Sequence, residues 1–272
     1  MQELTLPAPL VLLPGLGADA DLFQPQRQAF GDAVHVPDWI DPLDRNESLR
    51  SYAQRWSESI NQTIAGFSAD RPWFLGGASM GGMLALEMVP HLDRLPTALL
   101  LIASTRSTPN YPMHIKLGAS VVKGLPPQAA AWVLRHSAVP LGVRDGLDDV
   151  GYRILAKMAS AADADRYVWS MGAAADWTYP GPPEQVHGQP FPPIEQIHGD
   201  RDWMIPLAEA EAPDATVVEH AGHILTLSHY HTVNRWLYDQ VLRYCGIDES
   251  SEPRVEAPGE TVRRRPEVAG IY

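Results

Sequence analysis

Short runs of consecutive apolar residues alternate along the chain with longer stretches whose apolar residues recur at helical spacing. The short runs have the length of strands, and unbroken apolar runs are typical of parallel strands buried on both faces. They lie at 9–14, 33–36, 73–75, 97–103, 194–198 and 216–219. Strands that alternate with helices imply right-handed βαβ units. The pattern therefore predicts an α/β fold with a mostly parallel sheet flanked by helices.

Helical periodicity is clearest in three stretches of the chain. Apolar residues recur with helical spacing at about 22–30, at 49–64 and at 228–245. Either Asn46 or Ser48 is a suitable N-cap for the second of these helices. A further helix is predicted to begin directly after the glycine-rich turn at 76–82.

The alternation stops at Ser104. From about 105 to 192 the sequence shows no clear buried strand and predicts four helices instead, at about 112–123, 127–137, 144–160 and 163–177. A Pro/Gly-rich segment then leads to the strand at 194–198. We interpret this insert as a helical cap over the carboxyl edge of the sheet.

These boundaries predict a division of the chain into four parts. Residues 1–104 form the first part of the core, 105–192 the cap and 193–247 the second part of the core. Residues 248–272 are polar and charged, and we expect them to be a tail that is disordered or draped over the surface.

Composition restricts the classes of function. A chain of 272 residues suits one large domain, and its formal net charge of −12 argues against nucleic acid or an anionic membrane as the main partner. Cys245 is the single cysteine, which excludes an intrachain disulfide. No signal-peptide pattern and no apolar run of about eighteen residues is visible, so we expect a cytoplasmic protein without a membrane span. The sequence does not indicate an oligomeric state.

The turn after the third strand carries the first candidate for chemistry. Gly77-Ala-Ser-Met-Gly81 fits the pattern G-x-S-x-G, with an apolar strand before it and an apolar helix after it. Such a strand-to-helix turn holds its serine in a strained backbone conformation with the hydroxyl exposed. The glycines are required because side chains at these positions would collide. Ser79 is therefore a candidate nucleophile.

Three further segments at the ends of predicted strands carry distinctive motifs. The strand at 194–198 runs into His198-Gly-Asp-Arg-Asp202 and Pro206, the last strand is followed by Gly222-His223, and the first strand ends in Leu13-Pro-Gly-Leu-Gly17. Together with the serine turn, these segments resemble the α/β-hydrolase fold family over about residues 7–245.

The resemblance implies a role for each matching residue. Ser79 corresponds to the nucleophile, Asp202 to the acid of the H-G-x-x-D-x-x-x-P loop, and His223 to the base. The backbone N–H groups of Leu16 and Met80 correspond to the oxyanion hole. Pro14 stands where the family often has histidine, which leaves only a backbone role for this turn. The family usually begins with an antiparallel hairpin. This sequence starts just before the first strand with an oxyanion turn, so we expect the hairpin to be missing and the sheet to have about six parallel strands.

Other readings of the same loops remain open. Asp200 is an alternative acid, and His220, His229 and His231 are alternative bases. The neighbouring histidines also raise the possibility of metal ligands, although no HExxH or cysteine pattern accompanies them. The G-x-G at 15–17 lacks the third glycine of a dinucleotide-binding fingerprint. No cofactor and no metal are implied.

The resemblance favours a serine hydrolase of carboxylic esters or thioesters, acting on small to medium substrates through an acyl-enzyme. The sequence leaves open C–C or amide cleavage on the same fold, and also a receptor-like protein that retains the triad. The predicted cap and the acid loop are rich in aromatic residues, and we expect Trp132, Trp169 and Trp203 to contact an apolar substrate.

Overall fold

The computed structural model describes residues 5–108, 111–247 and 261–264. The strands are β1 (Leu10–Leu13), β2 (Val34–His35), β3 (Phe74–Ala78), β4 (Ala98–Ile102), β5 (Gln185–Val186), β6 (Gln189–Pro190), β7 (Ile194–Gly199), β8 (Thr216–Val218) and β9 (Val262–Arg264). The α-helices are α1 (Gln24–Phe30), α2 (Leu49–Ala65), α3 (Met80–Met88), α4 (Met113–Lys123), α5 (Pro127–Arg144), α6 (Asp149–Ala161), α7 (Ala164–Ala175), α8 (Leu225–Ser228) and α9 (Tyr230–Tyr244). Short 3₁₀ helices lie at Ala20–Phe23, Gly31–Ala33, Val89–His91 and Leu207–Glu209.

A seven-stranded sheet in the order β2-β1-β3-β4-β7-β8-β9 forms the centre of the molecule. The first six strands in this order are parallel, and β9 pairs antiparallel with β8. The prediction of a mostly parallel α/β sheet with six parallel strands is confirmed. The seventh strand belongs to the predicted tail, of which the structure describes only 261–264. In the described part of the chain, no strand precedes β1.

The strands read as unbroken apolar runs because both faces of the sheet are buried. Along β1, Leu10 and Leu12 point to one core, whereas Val11 and Leu13 point to the other. The same alternation occurs along β4. Leu100 points to the core under α1 and α9, whereas Leu99 and Leu101 point to the core under α2 and α3. Side chains on a strand alternate between faces, so only an apolar residue at every position satisfies both cores.

Four helices, α4 to α7, connect β4 to β7, as the sequence predicts for this segment. The second of these is longer than expected, since α5 continues through Pro140 to Arg144. The last is not separate from the core, because Trp169 on α7 packs against Tyr52 on α2 with ring centroids 4.2 Å apart. The division into core and cap at 104/105 and 192/193 stays a prediction.

The start of α2 shows how local chemistry places an element boundary. Ser48 has extended backbone angles, and its hydroxyl accepts a hydrogen bond from the Ser51 N–H. Of the two predicted N-caps, Ser48 rather than Asn46 therefore begins the helix. Among the described helices, none has the length and apolar character needed to cross a membrane.

Candidate active site

Ser79 lies at the junction of β3 and α3, in a backbone conformation with φ of 54° and ψ of −122°. This region is sparsely populated by residues with a side chain and costs about 1–3 kcal/mol, so it persists only where the surroundings enforce it. Here the Ser79 N–H donates to the Ile102 carbonyl at 2.9 Å, and the Ser104 hydroxyl donates to the Ser79 carbonyl at 2.7 Å. Both partners lie on or directly after β4, so the neighbouring strand holds the turn.

The two glycines of the turn are explained by close approach of backbone segments. A Cβ atom at Gly77 would collide with the backbone of Gly81, and a Cβ atom at Gly81 would collide with the Leu13 carbonyl at the end of β1. The turn is therefore compressed between its own helix and the adjacent strand, which aims Ser79 outward from the sheet edge.

The structure brings Ser79, His223 and Asp202 into one hydrogen-bonded chain. The His223 Nε2 atom lies 2.9 Å from the Ser79 hydroxyl oxygen, and the His223 Nδ1 atom lies 2.7 Å from Asp202 Oδ2. A carboxylate can only accept, so Nδ1–H donates to Asp202 and Nε2 accepts the Ser79 proton. This is the arrangement in which an imidazole activates a hydroxyl as a nucleophile.

Asp202 is held in place from several directions. Its Oδ1 atom accepts the backbone N–H groups of Met204 and Ile205, each at 2.9 Å, while Oδ2 faces both His223 and His198. Burial by itself would raise the pKa of Asp202, but the two imidazoles outweigh it and hold the pKa of this carboxyl well below its usual range. Asp202 is therefore ionised wherever the protein is folded near neutral pH.

His198 has a role that the sequence did not reveal beyond its place in the H-G-x-x-D loop. It is fully buried, and its Nε2 atom lies 2.8 Å from the Ile205 carbonyl and 3.2 Å from Asp202 Oδ2. The Gln196 side-chain amide lies 3.1 Å from His198 Nδ1 and donates to the Ser104 carbonyl at 2.7 Å. A buried polar network thus links the acid loop to Ser104 below the serine turn.

The electrostatics of His223 follow from its position beside carboxylates. Burial lowers the pKa of the imidazole, but the charge and the hydrogen bond of Asp202, with a further contribution from Asp145, outweigh it and raise the pKa above its ordinary value. A base with a raised pKa binds the serine proton more firmly, and it loses its function as the pH falls below that pKa.

The alternative residues of the two loops point elsewhere. Asp200 is exposed, and the exposed His220 receives a hydrogen bond from Arg201, with 2.6 Å between the nitrogen atoms. His229 lies 2.9 Å from the Ser228 hydroxyl, and the ring of His231 packs against Tyr230. Within the ranges that the structure describes, no three His, Cys, Asp or Glu side chains are grouped so that they could hold a metal ion.

The turn after β1 lies directly against the serine. A Cβ atom added at Gly15 would sit 3.3 Å from the Ser79 Cβ atom, so the backbone at Leu16 is next to the nucleophile. Met80 is the first residue of α3, where an N–H group has no acceptor within the helix. The Met80 N–H is thus at the positive end of α3, and Leu16 follows the residue that packs against Ser79. Their role as oxyanion donors stays a prediction.

The three predicted substrate contacts have different surroundings. Trp132 is 61% exposed and stacks on His136, while Trp169 is fully buried and donates its indole N–H to the Glu47 carbonyl. The ring of Trp132 therefore lies on the surface and the ring of Trp169 lies in the core. Neither position favours contact with substrate, and both assignments stay predictions. The helical pattern did not distinguish which face of α5 and α7 each side chain takes.

Trp203 is the third predicted contact, and it follows Asp202 directly. Its ring stacks on His114 and lies 4.9 Å below the guanidinium of Arg144. Its indole N–H is buried and has no hydrogen-bond partner among the described residues. Trp203 thus stays a candidate for substrate contact.

Comparison with known proteins places the fold in a family. Residues 10–236 match the model of the alpha/beta hydrolase family, which is most of the chain, so the protein belongs to this family. No curated protein matches the chain.

Solved structures with the same fold include two esterases and a lactonase. A thermophilic esterase from Thermogutta terrifontis is 17% identical, with 87% of this chain and 90% of that chain covered and a TM-score of 0.66. An esterase from Exiguobacterium antarcticum is also 17% identical, with 86% and 91% covered and a TM-score of 0.66. The enol-lactonase from Burkholderia xenovorans LB400 is 16% identical, with 87% and 92% covered and a TM-score of 0.63. At this identity the likeness shows the shared fold.

Proposed function

We propose that the protein is a serine hydrolase that cleaves carboxylic ester or thioester bonds of small to medium substrates through an acyl-enzyme. The observation that carries this proposal is the continuous hydrogen-bonded chain from the Ser79 hydroxyl through His223 to Asp202. The esterases and lactonases among the structural neighbours are consistent with it, and lactones are cyclic esters that belong in the same substrate class.

The first half of the reaction forms the acyl-enzyme. The Ser79 oxygen attacks the substrate carbonyl carbon while His223 Nε2 takes the hydroxyl proton, and Asp202 stabilises the resulting imidazolium. The carbonyl oxygen becomes an oxyanion that accepts hydrogen bonds from the N–H groups of Leu16 and Met80. Each such donor is worth about 3 kcal/mol in the transition state. The bond to the leaving alcohol or thiol then breaks, and His223 returns the proton to it.

The second half releases the acid. A water molecule gives a proton to His223 and attacks the acyl carbon, a second oxyanion forms in the same place, and the bond to Ser79 breaks as the proton returns to its oxygen. These steps use only the described residues and water.

We further propose that residues 105–192 act as a cap that limits the acyl group. Leu134 on α5 and Tyr167 on α7 lie above Gly17, where a Cβ atom would meet them at 3.3 and 3.5 Å. Leu16 packs against the same apolar cluster. Leu134 and Tyr167 would thus form the roof of the acyl pocket, and we expect short acyl groups to fit under this roof better than long ones.

A prediction on chain length tests this roof. Leu134→Ala is expected to raise the ratio of kcat/KM for nitrophenyl octanoate over acetate about 10-fold, because one methylene in an apolar pocket is worth about 1–3 kcal/mol. The measurement is kcat/KM for a series from acetate to palmitate. Trp132→Ala is the matched control, since this residue lies on the same helix but faces solvent, and it should leave the profile unchanged. Equal profiles for wild type and both variants would contradict the proposed roof.

The reaction class is tested by a substrate panel. Nitrophenyl esters, acyl thioesters and anilides of the same short acids are compared with lactones and diketones at equal concentration, and we expect turnover of esters and thioesters well above that of amides and diketones. Ser79→Ala enzyme prepared in the same way gives the background rate. Turnover confined to anilides or to diketones would replace the proposal by amide or C–C cleavage. A protein that binds these compounds but turns over none would be a receptor-like member of the family.

A further inference from the structure

A second buried carboxylate, Asp145, lies against the loop that carries His223. It directly follows α5, and only 4% of the residue is exposed. Its Oδ2 atom accepts the backbone N–H of Ile224 at 2.5 Å, across 79 residues of sequence. Its Oδ1 atom is buried and has no hydrogen-bond partner among the described residues. A carboxylate is costly to bury in this way, so its position calls for a physical reason.

The glycine before the histidine belongs to the same arrangement. A Cβ atom at Gly222 would collide with the carboxylate of Asp145, with both of its oxygen atoms inside contact distance. The segment 222–224 therefore wraps closely around this side chain. Gly222 leaves the space that the carboxylate occupies, and Ile224 supplies the donor that holds it.

The charged groups around the imidazole can be named individually. Two carboxylates act on His223, namely Asp202 from the loop after β7 and Asp145 from the end of α5, and His198 faces Asp202 from β7. Arg144 is the cation next in sequence to Asp145, but its guanidinium lies over the ring of Trp203. Burial is the largest influence on Asp145 and, together with the charge of Asp202, raises the pKa of this carboxyl above its ordinary value, although the Ile224 N–H and the charge of His223 act to lower it.

We propose that Asp145 is a positioning residue that couples the helical insert to the base of the triad. Its carboxylate holds the backbone on either side of His223, through the Ile224 N–H and the close approach of Gly222, and its charge adds to that of Asp202 in stabilising the imidazolium. The inference rests on the proposed hydrolase function, because it assigns Asp145 a part in presenting the base of that reaction. Because Asp145 directly follows α5, a shift of this helix would also move the carboxylate that accepts the Ile224 N–H.

Two variants separate the charge from the hydrogen bond. Asp145→Asn retains the volume and a carbonyl acceptor for the Ile224 N–H but removes the charge. The pKa of His223 then falls, so the acid limb of the kcat/KM profile should move to lower pH by about half a unit or more, with the plateau kcat within about threefold of wild type. Asp145→Ala removes the acceptor as well, and the plateau kcat should fall about 10-fold with KM changed less than about twofold, because only the presentation of the base is altered.

The matched control is Asp149→Asn, which removes an exposed carboxylate four residues further on and should leave the profile unchanged. An acid limb of Asp145→Asn at or above the wild-type pH, or a wild-type plateau kcat in Asp145→Ala, overturns the proposal. If Asp145→Ala does not fold, the near-isosteric Asp145→Asn decides alone.

A spectroscopic titration keeps this test separate from the proposed function. The imidazole resonances of His223 give its pKa by NMR in wild type and in Asp145→Asn without any substrate. A lower pKa in the variant supports the role of Asp145 even if the substrate panel shows no turnover, and an unchanged pKa overturns it even if the enzyme is active. A His223→Gln sample assigns the resonance.

Discussion

Ser79→Ala is expected to abolish ester hydrolysis, with kcat reduced by a factor of about 10⁴ or more, because it removes the atom that forms the acyl-enzyme. The fold should persist, since the substitution deletes one hydroxyl whose hydrogen-bond partner among the described residues is His223 Nε2. The strained backbone at this residue tolerates alanine as well as serine, because the strain arises from the turn and not from the hydroxyl. The measurement is the steady-state rate on the ester that the panel identifies.

A covalent probe checks the same residue independently of substrate choice. A fluorophosphonate should label the wild-type protein and leave Ser79→Ala unlabelled. The matched control is Ser120→Ala, which removes an exposed hydroxyl on α4 that bonds only to its own helix, and it should be labelled like wild type. Labelling that persists in Ser79→Ala would assign the nucleophile to another residue.

Asp202→Asn is expected to lower kcat by about 10³- to 10⁴-fold. The asparagine amide would present its NH₂ group to His223 Nδ1 or lose that hydrogen bond, and either outcome favours the tautomer that cannot accept the Ser79 proton at Nε2. The backbone donors at Met204 and Ile205 favour a carbonyl oxygen on their side, which turns the NH₂ group toward His223. The measurement is kcat across the pH range, compared with the melting temperature to exclude unfolding.

The matched control for this variant is Asp200→Asn, two residues earlier in the same loop. Asp200 is exposed, so its replacement should change kcat by less than about threefold. A larger loss in Asp200→Asn than in Asp202→Asn would show that the acid of the loop is Asp200.

The positions of the parallel strands along the chain and of the loops that follow them could be predicted from the sequence because both depend on local patterns. An unbroken apolar run is stable only between two layers of helices, so the runs at β1, β3, β4 and β7 were recognisable as strands of a parallel sheet. The carboxyl ends of parallel strands meet at one edge, which is why residues as distant as Ser79 and His223 could be assigned to one place before their distance was known.

The edge strand β9 could not be predicted from an apolar pattern. Residues 262–264 include two arginines and lie in a polar stretch, and a short edge strand needs no apolar pattern because one of its faces is exposed. Its pairing is decided by the free edge of β8 at Thr216 to Val218, which no property of the tail itself reveals.

The positions of individual side chains in the inserted helices were likewise decided by tertiary structure. Trp132 and Trp169 look alike as aromatic residues in helical stretches, yet one faces solvent and the other fills the core beside Tyr52. Which face of a helix is covered depends on how the helices pack against one another, and four adjacent helices of mixed character allow several arrangements.

The sequence by itself determined the fold class, the six parallel strands and the residues of the candidate triad, because glycine turns and strand ends impose their geometry locally. Only the tertiary structure decided that His198 supports Asp202 and that Asp145 reaches the His223 loop. Each of those contacts joins a buried polar side chain to a partner that the residue's own stretch of sequence does not indicate. They form because a buried polar group must find a partner in the folded chain, whichever segment supplies it.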